Sequence, residues 1–244
     1  MEHLKMTKML MSELAPTGKL RAAMNLSNTL FTTKDARSGE LQGVAADLMR
    51  ELASRLGVPV EFVVHATPGD VADAADRGTW DVAILAIEAA RARTIAFSPA
   101  ITAIEASYVV HEASLLRSVG QVDTAGVRIS AAEKAGYELF LTRTLRNATV
   151  VHAKGFQGSI DLFNERRSDA LAGLKPALLD AMDRIPDARM LEGPFMTVNH
   201  GLGTPLGRPV AAEYVRAFVM EMNASGFVAG SIARNGVKGL TAVT

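Results

Sequence analysis

The chain predicts an α/β fold, and three observations carry that prediction. Strand-like and helix-like patterns alternate along most of its 244 residues. The alternation runs twice, with a long extended stretch between the runs. The strand Asp81-Val-Ala-Ile-Leu-Ala86 is apolar almost throughout, as a strand covered on both faces must be. Strands that alternate with helices build a mainly parallel sheet with helices on both faces.

The elements follow in order. Residues 19–25 read as a first strand after the break at Pro16 and Gly18. Val44, Leu48, Leu52 and Leu56 fall four apart with charged residues between them, an amphipathic helix stopped by Gly57 and Pro59. Residues 59–65 are rich in β-branched side chains and predict a strand. A short helix over 68–77 is closed by Gly78. The strand 81–86 comes next, then a polar turn bearing Arg91, then a Phe97-Ser98-Pro99 corner. Residues 102–111 form the long extended run.

In the second alternation, strands are expected over 126–130, 148–152 and 169–173. Helices are expected over 136–145, 159–166 and 176–182. Val210, Tyr214, Phe218 and Met222 recur at four in a long final helix over 209–223, and Gly226 separates it from a short helix over 228–234. Gly201-Leu-Gly203 reads as a turn, and Trp80 as a core residue rather than a stacking platform.

Composition narrows the function. The 26 basic and 26 acidic side chains cancel, which argues against nucleic acid and against a polybasic membrane patch. With no cysteine there is no disulfide, thiolate nucleophile or cysteine-based zinc site. The five histidines are nowhere spaced three to five apart, so no metal site is expected. Nucleophile-elbow, phosphate-loop and dinucleotide-binding motifs are not found, and no cofactor is expected. Residues 1–17 read as an N-terminal extension. They lack the apolar run of about 7–15 residues that a signal peptide needs. The expectation is therefore a cytoplasmic chain if Met1 is the native start.

One residue points to chemistry. Arg91 sits in the turn after an apolar strand, and in open α/β sheets ligands bind beyond the strands' carboxyl ends. A guanidinium fork matches a carboxylate in two parallel hydrogen bonds. The expected partner is a small acid.

Several segments, taken in order, resemble the type II periplasmic solute-binding proteins, in particular the amino-acid-binding family 3 group of ABC uptake systems. They are Lys19-Leu-Arg21, Gly43-Val-Ala-Ala-Asp47-Leu48, Arg55-Leu-Gly57-Val-Pro-Val-Glu-Phe62, Gly78-Thr-Trp-Asp81-Val, and Arg91 six residues before Phe97-Ser98. Asp169-Ala170 and Ala224-Ser-Gly226 complete the set. The resemblance covers about residues 18–236. It implies a two-lobed fold with two crossing hinge strands, lobe 1 from 18–103 and 196–244, lobe 2 from 107–190, and the hinge near 103–106 and 191–195. It also implies a ligand in the cleft between lobes, a hinge motion that closes on it, a periplasmic location, a monomer, and an ABC permease as partner.

Carried over residue by residue, the resemblance places Arg91 on the ligand carboxylate. It assigns ligand-side positions to Asn25, Asn28, Phe31, Ala86, Glu88, Lys134, Ala135, Gly136, Leu174 and Lys175. Several depart from the family pattern. Asn28 stands where an aromatic usually stacks on ligand, and Asn25 where an acid is common. Ala86 replaces a hydroxyl, and Glu88-Ala-Ala90 replaces Thr-Pro-Glu. Lys134-Ala135-Gly136 fill the usual glycine–hydroxyl turn. Leu174 replaces the acid that receives the ligand's ammonium group, and Lys175 follows it. The carboxylate half of an amino-acid site is kept and the ammonium half is not.

The expected function is capture of a small carboxylate-bearing ligand, an organic acid or an amino acid, by a binding protein with no catalytic residues. Two alternatives stay open. One is a lyase resembling the cyclohexadienyl dehydratases, with Glu88 or Glu133 as candidate general acids. The other is a cytoplasmic metabolite-sensing or interaction protein. Position alone also makes His200 a candidate for lining the cleft.

Overall fold

The structure, a computed structural model, describes residues 2–243. In chain order its elements are α1 (Glu2–Leu14), β1 (Leu20–Asn25), β2 (Thr33–Lys34), β3 (Leu41–Gln42), α2 (Val44–Leu56), β4 (Val60–His65), α3 (Pro68–Asp73), β5 (Val82–Ala86) and β6 (Ile95–His111). They continue with β7 (Arg128–Ala132), α4 (Gly136–Thr144), β8 (Thr149–Ala153), α5 (Gly155–Asn164), β9 (Ala170–Leu174), α6 (Lys175–Ala181) and β10 (Ala188–Met190). The last are β11 (Met196–Pro205), α7 (Pro209–Ala224), α8 (Phe227–Arg234) and β12 (Thr241–Ala242). No described helix is long and apolar enough to cross a membrane.

The chain divides into two compact units. The first runs to Ala103 and resumes at Asn199; the second is Ile104–Val198. The chain crosses between them twice, once within β6 and once within β11.

In the first unit the strand order is β4-β1-β5-β11-β6. β4, β1 and β5 are parallel, and β11 returns antiparallel beside β5, placing His200 opposite Ala86. One face is packed by Val71, Ala74 and Ala75 around Trp80, Leu85 and Ile95. Trp80 is fully buried and its indole Nε1 donates to the Val71 carbonyl at 3.0 Å, as a buried indole must. The four-residue period of α2 buries Val44, Leu48 and Leu52. The α2 helix ends at Gly57 in the left-handed conformation. A reciprocal cap of Thr67 and Asp70 starts α3.

In the second unit the order is β6-β9-β7-β8. β9, β7 and β8 are parallel, β6 runs antiparallel to β9, and β10 pairs with the other edge of β6. Val109, Ile160, Phe163, Leu171 and Leu178 form its core.

Several sequence expectations are corrected. The Phe97-Ser98-Pro99 corner is an uninterrupted part of β6, which starts seven residues before the expected run. Ser98 makes this possible. Its hydroxyl donates to the Pro99 carbonyl at 2.7 Å and accepts the Leu202 amide at 3.0 Å. Gly201-Leu-Gly203 is not a turn but buried β11 strand. A Cβ at Gly203 would collide with Ile95 Cγ2, and one at Gly201 would lie 3.0 Å from Ile87 Cδ1. These glycines let neighbouring side chains pack onto the strand, a role that sequence alone reads as turn chemistry. The α5 helix begins at Gly155, four residues earlier than expected, because no capping side chain marks its start.

The N-terminal extension carries α1, whose Leu14 is fully buried. The Glu13 carboxylate accepts the Ala211 amide at 2.8 Å, at the positive end of the α7 dipole.

Candidate functional site

In each unit the residues that sequence singles out follow the carboxyl ends of parallel strands. Asn25, Asn28 and Phe31 end or follow β1; Ala86, Glu88 and Arg91 end or follow β5. In the other unit Lys134, Ala135 and Gly136 follow β7, while Leu174 ends β9 and Lys175 begins α6. A parallel sheet presents unpaired backbone and loops at this edge, which is why such sheets bind ligands there.

The first unit's set is centred on Arg91. The residue opens a 3-10 turn, its amide bonded to the Glu88 carbonyl at 3.0 Å. Its side chain is only 4% exposed, and Nη1 donates to the Ala86 carbonyl at 3.1 Å. The last residue of β5 therefore holds the guanidinium at the strand end. Glu88 is also buried. Phe31 is buried, with its ring 4.7 Å from that of His200. Its carbonyl accepts the Ala45 amide at 3.0 Å, which ties this loop to the first turn of α2. Gly43 makes the approach possible at φ 108, since a Cβ there would meet the Phe31 carbonyl oxygen.

Asn25 and Asn28 use their side chains locally. Asn25 Oδ1 accepts the Ser27 amide at 3.0 Å and hydroxyl at 2.9 Å, and Asn28 Oδ1 accepts the Leu30 amide at 3.3 Å. All three bonds reach two residues ahead, as in Asx turns that shape a loop.

The second unit's set rests on a residue that sequence reasoning missed. Glu138, in the first turn of α4, is buried. Its carboxylate accepts the Lys134 amide at 2.8 Å and the Thr142 hydroxyl at 2.6 Å, and lies 3.2 Å from His152 Nδ1. Lys134 has φ 59, a conformation that a lysine rarely adopts, and the Glu138 bond holds it there. Ala135 and Gly136, both buried, follow as cap and first residue of the helix. An acid in the first turn of a helix that starts at a glycine was the available signal. Leu174 and Lys175 start α6, and Lys175 Nζ meets Glu105 Oε2 at 2.7 Å.

Glu133, one candidate general acid, is exposed, and its amide donates to the Ala153 carbonyl at 2.9 Å. Among the described residues, no three histidine, aspartate or glutamate side chains cluster as metal ligands.

A two-unit α/β chain with polar groups gathered at strand carboxyl ends has the fold of the periplasmic binding proteins. Residues 20–233 match the family model of bacterial extracellular solute-binding proteins, family 3, and the chain belongs to that family. The fold is shared with a mutant of ArgBP from T. maritima (TM-score 0.75, 19% identity, 92% of this chain and 98% of that one). It is shared with the ancestral amino acid-binding protein AncCDT-1, a precursor of cyclohexadienyl dehydratase (TM-score 0.75, 20% identity, 93% and 99%). An L-arginine-bound amino acid ABC transporter substrate-binding protein, AbpA from Streptococcus pneumoniae, also matches (TM-score 0.75, 20% identity, 91% and 95%). No curated protein sequence matches the chain.

Proposed function

We propose that this solute-binding protein captures a small carboxylate-bearing solute and delivers it to an ABC-type permease outside the cytoplasm, acting as a monomer. The observation that carries the reading is Arg91, fixed by the Ala86 carbonyl at the carboxyl end of β5. A guanidinium held by a backbone oxygen is pre-organised, so less side-chain freedom is lost when an anion arrives. Structural relatives that carry arginine or lysine support an amino acid as one class of ligand. Leu174 at the usual ammonium position supports an organic acid as the other. In this reading the two crossings of the chain, in β6 and β11, are the hinge.

The test is a library of amino and organic acids, read by melting shift and by product. A shift without turnover supports a binding protein. Turnover of prephenate or arogenate would replace it with the dehydratase reading, toward which the ancestral relative points. No shift with any acid would overturn the assignment.

A further inference from the structure

We infer that Glu138 is a positioning residue for solute binding: its buried carboxylate holds Lys134 in the left-handed conformation and so fixes the loop at the second unit's ligand edge. The inference rests on the carboxylate-binding reading proposed above. Lys134 lies between β7 and α4, at the carboxyl end of a parallel strand. Its φ of 59 is unfavourable for a residue with a Cβ, which crowds the following carbonyl. Among the described residues, Arg166 and Asp187 are the other non-glycines with positive φ. Arg166 sits just past the end of α5, where left-handed residues are usual, and aspartate tolerates that conformation. Lys134 instead precedes a helix, and the bond from its amide to Glu138 Oε2 at 2.8 Å offsets the strain.

The three amides of the connection are each bonded within the unit. Glu133 donates to the Ala153 carbonyl at 2.9 Å, Lys134 to Glu138, and Ala135 to the Ala132 carbonyl at 3.1 Å. The cap position of α4 is an alanine, so its first-turn amides receive no cap from that side chain. Amides of this kind suit an anion. In the reciprocal cap of α3, Asp70 bonds the amide of the cap residue itself. Glu138 reaches one residue further back, so it holds the loop rather than the helix end. The acid is itself held. Its Oε1 accepts the Thr142 hydroxyl at 2.6 Å and lies 3.2 Å from His152 Nδ1 on β8, which leaves Oε2 to Lys134. Glu138 is 3% exposed, and burying a carboxylate costs desolvation that an apolar side chain would not incur. Its contacts come from the loop, the helix and the neighbouring strand. They fix the Lys134 backbone against that frame, and a right-handed Lys134 would re-aim the chain at Ala135 and Gly136.

The experiment is a double-mutant cycle read by titration calorimetry, with L-glutamate and 2-oxoglutarate as probes. Glu138→Met removes the acceptor and keeps the length. Glu138→Gln keeps a carbonyl for the Lys134 amide and turns its N–H groups toward the Thr142 hydroxyl oxygen. Both are made in the unmodified chain and in Lys134→Gly, where glycine takes the left-handed conformation unaided. Comparison within each background removes whatever the lysine side chain itself contributes. Glu138→Met is expected to weaken binding by about tenfold or more in the unmodified chain, and Glu138→Gln by less than about threefold. In Lys134→Gly, Glu138→Met is expected to cost less than about threefold. Unchanged affinity in Glu138→Met, even with a lower melting temperature, would show that the acid only stabilises the unit and would overturn the inference. Equal losses in the two backgrounds would overturn it as well, since Glu138 would not then act through the Lys134 backbone. If Glu138→Met folds only with Lys134→Gly and then binds as Lys134→Gly does, the inference stands; if it folds in neither background, the acid is structural and the inference is overturned. If Arg91→Ala weakens binding while Glu138→Met does not, the inference fails and the carboxylate reading stands. If the unmodified chain binds neither probe, the carboxylate reading loses its support and the inference falls with it.

Discussion

Arg21 holds Asp81 by both edges. Its amide donates to Asp81 Oδ2 at 3.1 Å, its Nε to the same oxygen at 2.9 Å, and its Nη2 to Oδ1 at 2.7 Å. The Asp81 amide returns a bond to the Arg21 carbonyl at 2.8 Å. The second unit repeats the arrangement with Arg128 and Asp169, through the same four kinds of bond at 2.8–3.0 Å. In both units the arginine is at the start of a strand and the aspartate directly precedes a parallel strand. The pair thus staples two strands at their amino ends, opposite to the edge that carries the candidate site.

The two staples are expected to differ in worth because they differ in burial. The Asp81 side chain is fully buried and also accepts Arg208 Nη1 at 2.8 Å, whereas that of Asp169 is 41% exposed. Removing one partner of a buried pair strands the other charges, at about 3–5 kcal/mol. Exposed pairs are worth about 0–1 kcal/mol. Denaturant unfolding of Asp81→Asn and Asp169→Asn should separate them in that order. Equal losses would show that burial does not govern the pair.

Arg91→Ala is expected to weaken carboxylate binding by at least about tenfold, since a charge-assisted hydrogen bond contributes about 1.5–3 kcal/mol. Calorimetry that shows unchanged affinity would remove Arg91 from the site.

Acids without an ammonium group are expected to bind better than the matching amino acids. Leu174 offers a ligand ammonium no anion, and an unsatisfied polar group costs about 1–3 kcal/mol when buried. The comparison is L-glutamate against 2-oxoglutarate. Tighter binding of glutamate by tenfold or more would mean that another acid, such as Glu88 or Glu105, receives the ammonium.

Gly203→Ala is expected to destabilise the first unit by about 1–3 kcal/mol, the usual range for overpacking. The added Cβ would collide with Ile95 Cγ2, itself a core residue. A melting temperature unchanged from that of the native chain would show that Ile95 yields freely.

Stability is expected to fall on mild acidification. His111, stacked 3.9 Å from Phe163, and His65 both have imidazoles pushed below the ordinary range, chiefly by burial. A depressed value means that the folded state prefers the neutral ring. Its contribution is complete above the ordinary imidazole value of about 6.5 and is lost as pH falls through the lower folded-state value. Chemical denaturation from pH 8 to pH 5 should show the decline, and His111→Phe should reduce it. A flat profile in the native chain would contradict the burial of these rings.

Most of the fold was legible in the sequence because periodicity and punctuation are local. Val44, Leu48, Leu52 and Leu56 define α2 by spacing alone, and Gly57 and Pro59 end it. The same holds for the apolar block of β5 and for the four-residue repeat of α7. The place of Arg91, in the turn just past the buried strand β5, was legible for the same local reason.

What the sequence could not carry depends on residues far apart in the chain. Ser98 keeps Pro99 within a strand by bonding Leu202, and Gly203 is small because Ile95 lies against it. Asp81 joins Arg21 and Arg208, and His200 meets Ala86 and Phe31, through pairings that only the tertiary structure decides. Local pattern reports which face of an element is apolar. It does not report which strand lies beside it, and the partners of buried polar groups are set by that neighbour.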